Sequence, residues 1–201
     1  MKLYYTPGAC SVSPHIALCE AGIPHEIDKV DLKEKKTSTG ANYMAINPKG
    51  YIPALQLDNG ELLVEGAVIV QYIADQRPES GLAPKAGTME RYRLQEWLTF
   101  ISSELHKTFS PLFNAAMPED GKKIFRDRLA MRFGYVDKQL AGKDYLMGAK
   151  FCVADGYFYN MIRWARRVNL DLAAFPNVIA FEKRMEARPK VIEALKAEGL
   201  M

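Results

Sequence analysis

Pro7-Gly8-Ala9-Cys10-Ser11-Val12-Ser13 is the stretch whose reading decides the fold. Before it stands a short apolar and aromatic run, Lys2-Leu3-Tyr4-Tyr5, which Pro7-Gly8 ends as a turn ends a strand. After it a helical pattern starts at Ser11, with Ile16, Leu18, Cys19 and Ile23 near one face and Gly22 as the stop. Pro14 falls in the first turn, where a missing N–H costs nothing. A cysteine therefore sits between the first strand and the mouth of the first helix. Free N–H groups and a partial positive charge at a helix N-terminus favour thiolate over thiol, so Cys10 has a physical reason to be reactive. The bland alternative is a small buried cysteine.

Working outward, residues 26–32 alternate polar and apolar, as a half-buried strand does, and the polar residues 33–42 read as a loop. Pro48-Lys49-Gly50 is a turn. Residues 51–57 and 61–64 are apolar runs joined by Asp58-Asn59-Gly60, and Asn-Gly between two such runs is a strong hairpin signal. Glu65 opens a helix with Val68, Ile69, Tyr72 and Ile73 on its apolar side. The order β-α-β-loop-β-β-α predicts a small α/β unit over residues 1–80. Residues 77–87, with Pro78, Gly81, Pro84 and Gly87, read as a linker. Beyond it no strand is convincing. Helical periods over 88–113, 124–140, 154–168, 175–187 and 189–196 predict an all-helical domain of about five helices, from residue 88 to 201.

Composition agrees with two folded parts. Of 201 residues, 48% are hydrophobic and 25% charged, which excludes a disordered, collagen-like or disulfide-scaffold chain. The net charge of +3 hides an asymmetry: residues 1–80 carry 7 basic and 10 acidic side chains, and residues 81–201 carry 20 and 14. A charge of +3 excludes the dense basic stripe of a nucleic-acid binder, and Arg163, Arg166 and Arg167 read as a solvated or interface face. The first apolar run stops at Pro7-Gly8, too short for a signal peptide, and no run approaches the roughly 18 residues of a membrane helix. Three cysteines, Cys10, Cys19 and Cys152, cannot all pair, which fits a reducing compartment. The cytoplasm is the expected location, with no membrane partner.

Thioredoxin-like redox sites use C-x-x-C where this chain has Cys10-x-x-Ser13, so a second thiol must come from outside, and glutathione is the obvious donor. Ile52-Pro53 stands before an apolar strand, where such folds keep a cis proline and leave the preceding backbone open to a peptide substrate. Glu65-Gly66 opens a helix, so an acid there has a dipole explanation; it also offers a carboxylate for an ammonium beside an N–H for a carboxylate, both present on a γ-glutamyl group. Thr99, Ser103 and His106, at i, i+4 and i+7, form one polar stripe beside Glu104 and Lys107, with a solvated face as the plain alternative. His15 and Cys19, at i and i+4, could join Cys10 as metal ligands, but no fourth ligand accompanies them and no metal is expected.

Five segments together carry a resemblance over essentially the whole chain: K-L-Y-Y-T-P-G-A-C-S (2–11), N-P-K-G-Y-I-P-A-L (47–55), E-G-A-V-I-V-Q-Y-I-A-D (65–75), S-S-E-L-H-K (102–107) and F-x-V-A-D (151–155). The chain resembles bacterial glutathione transferases of the beta class. The resemblance implies a thioredoxin-like domain, an all-helical domain and a homodimer with two glutathione sites, glutathione being a co-substrate and no prosthetic group being present. It implies that Cys10 hydrogen-bonds or bonds covalently to the glutathione sulfur, that Lys35 lies near the glycyl carboxylate, and that Ile52 offers its backbone to the cysteinyl moiety. Glu65 and Gly66 would hold the γ-glutamyl end, and Thr99, Ser103 and Glu104 would approach glutathione, in part across the dimer interface. His106 and Lys107 would face the sulfur and the electrophile, with Cys10 and His106 as the catalytic pair. Tyr5, where other classes place a catalytic tyrosine, is not the principal sulfur ligand in this class. Two positions depart from the pattern: Thr99 stands where Asn is frequent, and Cys152 opens a Ser/Thr-x-x-Asp capping box. The implied reaction is attack of glutathione thiolate on a small hydrophobic electrophile, with thiol–disulfide exchange or dehalogenation through Cys10. A glutathione-dependent disulfide or dehydroascorbate reductase and a non-catalytic binder of apolar ligands are the rival readings. Phe109, Phe113 and Met117 are candidates for the electrophile pocket, although aromatics at helical spacing are more often core.

Overall fold

The structure, a computed structural model, describes all 201 residues and divides into two compact units, Met1–Ala83 with Arg188–Met201, and Pro84–Ala187. In the first, the chain runs β1 (Lys2–Tyr5), α1 (Val12–Glu20), β2 (Glu26–Asp31), β3 (Lys36–Thr37), α2 (Tyr43–Ile46), β4 (Ala54–Gln56), β5 (Leu62–Val64) and α3 (Gly66–Gln76). The strands form one sheet in the order β3-β2-β1-β4-β5. β1 pairs parallel with β2, which a helical crossover such as α1 makes feasible, and antiparallel with β4. Leu3 stands opposite Ile27 on one side and Leu55 on the other, and Leu3 and Leu55 are fully buried. The order of elements predicts a small α/β unit, and the thioredoxin-like arrangement is the one the resemblance implies.

Two short elements were not legible in the periodicity. Residues 33–42, expected to be a loop, contain β3, and a four-residue helix follows at α2. Asn42 caps α2 by accepting the Met44 N–H at 3.0 Å, and Tyr43 anchors it as a fully buried side chain. Two- and four-residue elements are too short to display a period. The β4–β5 hairpin closes at Leu57 and Glu61, whose N–H and C=O bond at 2.8 Å, with Gly60 at φ +87° completing the turn.

The second unit is helical apart from one isolated bridge between Tyr145 and Gly148. α4 (Met89–Phe100) continues through a wide π segment, Ile101–His106, into α5 (Lys107–Phe109). α6 (Glu119–Leu140), α7 (Val153–Arg167) and α8 (Pro176–Glu186) complete it. Leu129, Phe133, Val136 and Leu140 make the buried stripe of α6. α7 is buried through its first ten residues and so acts as the centre of the unit. The arginine cluster at its end is tied down: Arg166 grips Glu182 at 2.7 and 3.3 Å, and Arg163 and Arg167 lie over the Tyr159 and Phe113 rings.

α7 opens with a complete capping box. The Cys152 side chain faces the N3 backbone, and Asp155 Oδ2 accepts the Cys152 N–H at 2.7 Å. Sulfur is a weaker acceptor than a hydroxyl oxygen. Cys152→Ser should therefore stabilise the protein by about 0.5–1 kcal/mol, seen as a rise of about 1–4 °C in melting temperature. An unchanged or lower melting temperature would show that packing of the sulfur outweighs its weakness as a cap.

The expected partition into 1–80 and 88–201 differs from the structure at the C-terminus. α9 (Pro189–Ala197) lies in the first unit, packed on α1. Arg188 holds Glu20 through two bonds of 2.7 and 2.8 Å, and Glu198 reaches back to His15 and to the Gly8 N–H. This is why α1, expected to bury one face, is buried from Val12 to Cys19: α3 packs on one side and α9 on another. Helical periodicity distinguishes a helix from a strand, but it does not say which unit the helix covers.

Candidate functional site

In the first unit, residues 49–53 touch the side chains of Cys10, Lys35 and Glu65 and the start of α3. Cys10, half-buried just before α1, donates its thiol proton to the Ile52 carbonyl at 3.3 Å. The Ile52–Pro53 bond is cis. A Cβ built on Gly66 would stand 3.6 Å from Pro53 Cγ, so the start of α3 lies in van der Waals contact with that proline. Lys49 Nζ donates to Glu65 Oε1 at 2.7 Å, and Lys35 Nζ donates to the Gly50 carbonyl at 2.9 Å. Tyr43 Oη and Asn47 Nδ2 both donate to the Tyr51 carbonyl at 2.8 Å, fixing the middle of the segment. Cys10, Ile52, Gly66, Glu65 and Lys35 thus gather around one stretch of backbone.

The backbone of two of these residues is unusual. Glu65 and Lys35 have φ of +70° and +55°, in a region that favours glycine. Such a conformation costs on the order of 1–3 kcal/mol and recurs at ligand clamps. Glu65 is also exposed, and its Lys49 partner is 54% exposed, so their ion pair is worth at most about 1 kcal/mol and is readily exchanged for another ammonium.

The three cysteines are chemically distinct. Burial pushes the Cys19 thiol up to about 12, with the Glu193 carboxylate adding to it. Burial likewise pushes Cys152 well above the usual thiol range, with Asp155 beside it. Cys10 alone of the three is not buried. Tyr5 is packed in the core, where burial and then Glu198 push its phenol up, in keeping with a structural role.

In the second unit the stripe Thr99, Ser103 and His106 does not stay together. Thr99 and Ser103 face solvent, with Ser103 Oγ donating to the Thr99 carbonyl at 2.9 Å. The π segment winds i to i+5, so residues after it are displaced from the α-helical stripe. His106 is half-buried against α7: its Nδ1 lies 2.6 Å from Tyr157 Oη, and its ring meets Trp164 edge-on at 4.9 Å. Glu104 is bound to Arg132 at 2.7 Å, and Lys107 is exposed. Tyr157 and Trp164, fifty or more residues away, were missed by sequence reasoning. Their only sequence signal is that they lie seven apart on one helix face. Phe109 is fully buried core and lines no open surface, whereas Phe113 is exposed and stacks edge-on against Trp164 at 5.2 Å. A separate pocket of about 470 Å³ between α4 and α6, lined by Trp97, Phe100 and Tyr135, contains none of the predicted site residues.

Comparison with known proteins adds to this geometry. The family model described as glutathione S-transferase, N-terminal domain, matches residues 9–76, and the corresponding C-terminal domain model matches residues 100–189. Glutathione S-transferase GstA of Escherichia coli O157:H7 is 44% identical over 200 residues, covering 100% of both chains. A sphingomonad glutathione S-transferase solved in complex with glutathione superposes with a TM-score of 0.96 at 47% identity, covering 100% of each chain. The beta-class glutathione S-transferase of Sphingomonas chungbukensis superposes with a TM-score of 0.97 at 46% identity, again over 100% of both.

Proposed function

The chain belongs to the glutathione S-transferase family, in its bacterial beta class, and from that premise we propose how its residues bind and use glutathione. It is a glutathione transferase, with glutathione as co-substrate. The observation that carries the assignment of roles is the meeting of Cys10, Lys35, Glu65 and Gly66 on residues 49–53. Ile52 pairs through its backbone with the cysteinyl unit of glutathione, which brings the glutathione sulfur alongside Cys10. The Glu65 carboxylate takes the γ-glutamyl ammonium, displacing Lys49, while the N–H of Gly66 at the start of α3 takes the α-carboxylate. Lys35 is bonded to a neutral carbonyl, so its charge still attracts the glycyl carboxylate.

Cys10 steadies the glutathione thiolate while it attacks an apolar electrophile, or itself exchanges with a disulfide. In the second case the Cys10 thiolate attacks one sulfur of glutathione disulfide, a Cys10–glutathione disulfide forms, and one glutathione thiolate leaves. Intact mass after treatment with glutathione disulfide tests this. The expected product is one adduct per chain, removed by reductant. An unmodified chain would overturn the covalent role and leave hydrogen bonding as the function of Cys10.

Thr99, Ser103, Glu104, His106 and Lys107, all in the second unit, carry the remaining roles that the family resemblance assigns. Thr99 and Ser103 share the exposed face of α4 and its continuation with Met89 and Tyr92, 65% and 57% exposed, which supports a homodimer with two glutathione sites. The electrophile site is proposed to include Phe113. His106 is set by Tyr157 and Trp164, so Tyr157→Phe should lower kcat/KM for a haloaromatic about 10-fold and alter the pH profile while the melting temperature falls by only a few degrees. Unchanged kinetics would remove His106 from the chemistry. No helix of the protein is long and apolar enough to cross a membrane, and the three free thiols support a cytoplasmic location.

A further inference from the structure

The first unit holds a second cluster of reactive side chains that the glutathione chemistry does not use. His15 and Cys19, one turn apart on α1, meet His25 from the segment leading into β2. One ring nitrogen of each histidine and the Cys19 sulfur all lie within 4.8 Å of one another. The two rings stand edge-to-face with centroids 5.4 Å apart. His15 and Cys19 are buried and His25 is half-buried, so the third member opens a route to solvent.

The partners of the two histidines are what point to a ligand. His15 Nδ1 lies 2.9 Å from Glu198 Oε1, and His25 Nδ1 lies 2.7 Å from the Ile23 carbonyl. A carbonyl oxygen only accepts, so His25 Nδ1 carries the hydrogen and Nε2 carries the lone pair. The carboxylate of Glu198 sets the same tautomer on His15. A carboxylate on one ligating histidine and a backbone carbonyl on another are the outer partners by which proteins orient imidazoles toward a metal. We propose that His15, Cys19 and His25 bind a zinc-like cation through two imidazole nitrogens and one thiolate, with water in a fourth, tetrahedral position.

The donor set suits such an ion. Two nitrogens and one sulfur match borderline-soft d10 cations and disfavour magnesium or calcium, which prefer oxygen. Tetrahedral zinc at about 2.0–2.3 Å from each donor places the donors roughly 3.3–3.6 Å apart, so a pair at the 4.8 Å limit must close by about 1 Å. The half-buried His25 lies outside the regular elements and is the member that can move. On binding, the Cys19 S–H gives its proton to solvent and the sulfur becomes a ligand. Glu198 also accepts the Gly8 N–H at 3.1 Å, so the cation would stiffen the turn that leads to Cys10. This site is independent of the glutathione reading.

Cobalt and zinc titrations of the reduced, chelator-stripped protein test the proposal. The expected result is one Co2+ per chain with a thiolate-to-cobalt charge-transfer absorption that persists in Cys10→Ala and disappears in Cys19→Ser. His25→Gln should weaken Zn2+ at least ~10-fold and reduce its stabilisation of the fold against heat. Because His25 is only half-buried, that variant keeps the proposal testable if Cys19→Ser misfolds. Absence of the charge-transfer band in the wild-type protein, its loss in Cys10→Ala, or unchanged zinc affinity in His25→Gln would overturn the proposal.

Discussion

Cys10→Ala should abolish the reducible glutathione adduct entirely and bring disulfide exchange down to the rate of free glutathione. The argument rests on the contrast among the three thiols. Exchange requires thiolate and access together. With its thiol pushed up to about 12, Cys19 is only about one part in 10⁵ thiolate at pH 7, and it is buried as well. Burial pushes the Cys152 thiol up as well, and it is closed inside the capping box. Cys10 is half-buried and stands before the first turn of α1. Intact mass and a mixed-disulfide assay check the outcome. An adduct that survives the substitution would place the exchange chemistry at another cysteine. Conjugation of a haloaromatic measured on the same variant separates the two activities, since conjugation needs only a stabilised glutathione thiolate.

Asp155→Ala should cost about 3–5 kcal/mol of stability and lower the melting temperature by about 10–15 °C. Asp155 is fully buried, and its two oxygens accept the Leu146 N–H at 2.8 Å and the Cys152 N–H at 2.7 Å. Alanine leaves both buried donors without an acceptor, and each costs about 1–3 kcal/mol. The same change loosens the start of α7, which carries Tyr157 and Trp164 to His106, so activity should fall along with stability. Asp155→Asn, which keeps one acceptor oxygen, should fall between. A loss below about 1 kcal/mol for the alanine variant, measured by denaturant unfolding, would mean that water replaces the carboxylate. The contrast with Cys152→Ser is instructive: one residue of the box supplies two buried acceptors, and the other refines a single weak one.

Much of the fold was legible because its signals are local. The strand–turn–Cys10–helix stretch, the Asp58-Asn59-Gly60 hairpin and the helical periods after residue 88 each depend on neighbours within a few positions, and each stands where it was expected. Gly66 was expected at a helix start, and it is the first residue of α3. The polar stripe of Thr99, Ser103 and His106 was legible only under the assumption of regular α-helix, and the π segment breaks that assumption. The ion pair of Glu104 with Arg132, twenty-eight residues on, was not legible either. Neither the extra width of one helical turn nor the partner of one carboxylate leaves a mark in residue spacing.

By itself the sequence determined the order of the longer elements, the placing of Cys10 at the mouth of α1, the proline after Ile52, the acid and glycine that open α3, and the family to which the chain belongs. Tertiary structure alone decided that residues 49–53 join Cys10, Lys35, Glu65 and Gly66, that Tyr157 and Trp164 brace His106, and that α9 closes over α1. It alone brought His25 to His15 and Cys19, and carried Glu198 back 183 residues to His15. The physical reason is the range of the forces involved. Periodicity, turns and caps record interactions between residues a few positions apart, whereas a hydrogen bond between chain ends is selected by the packing of the whole unit and has no period to read.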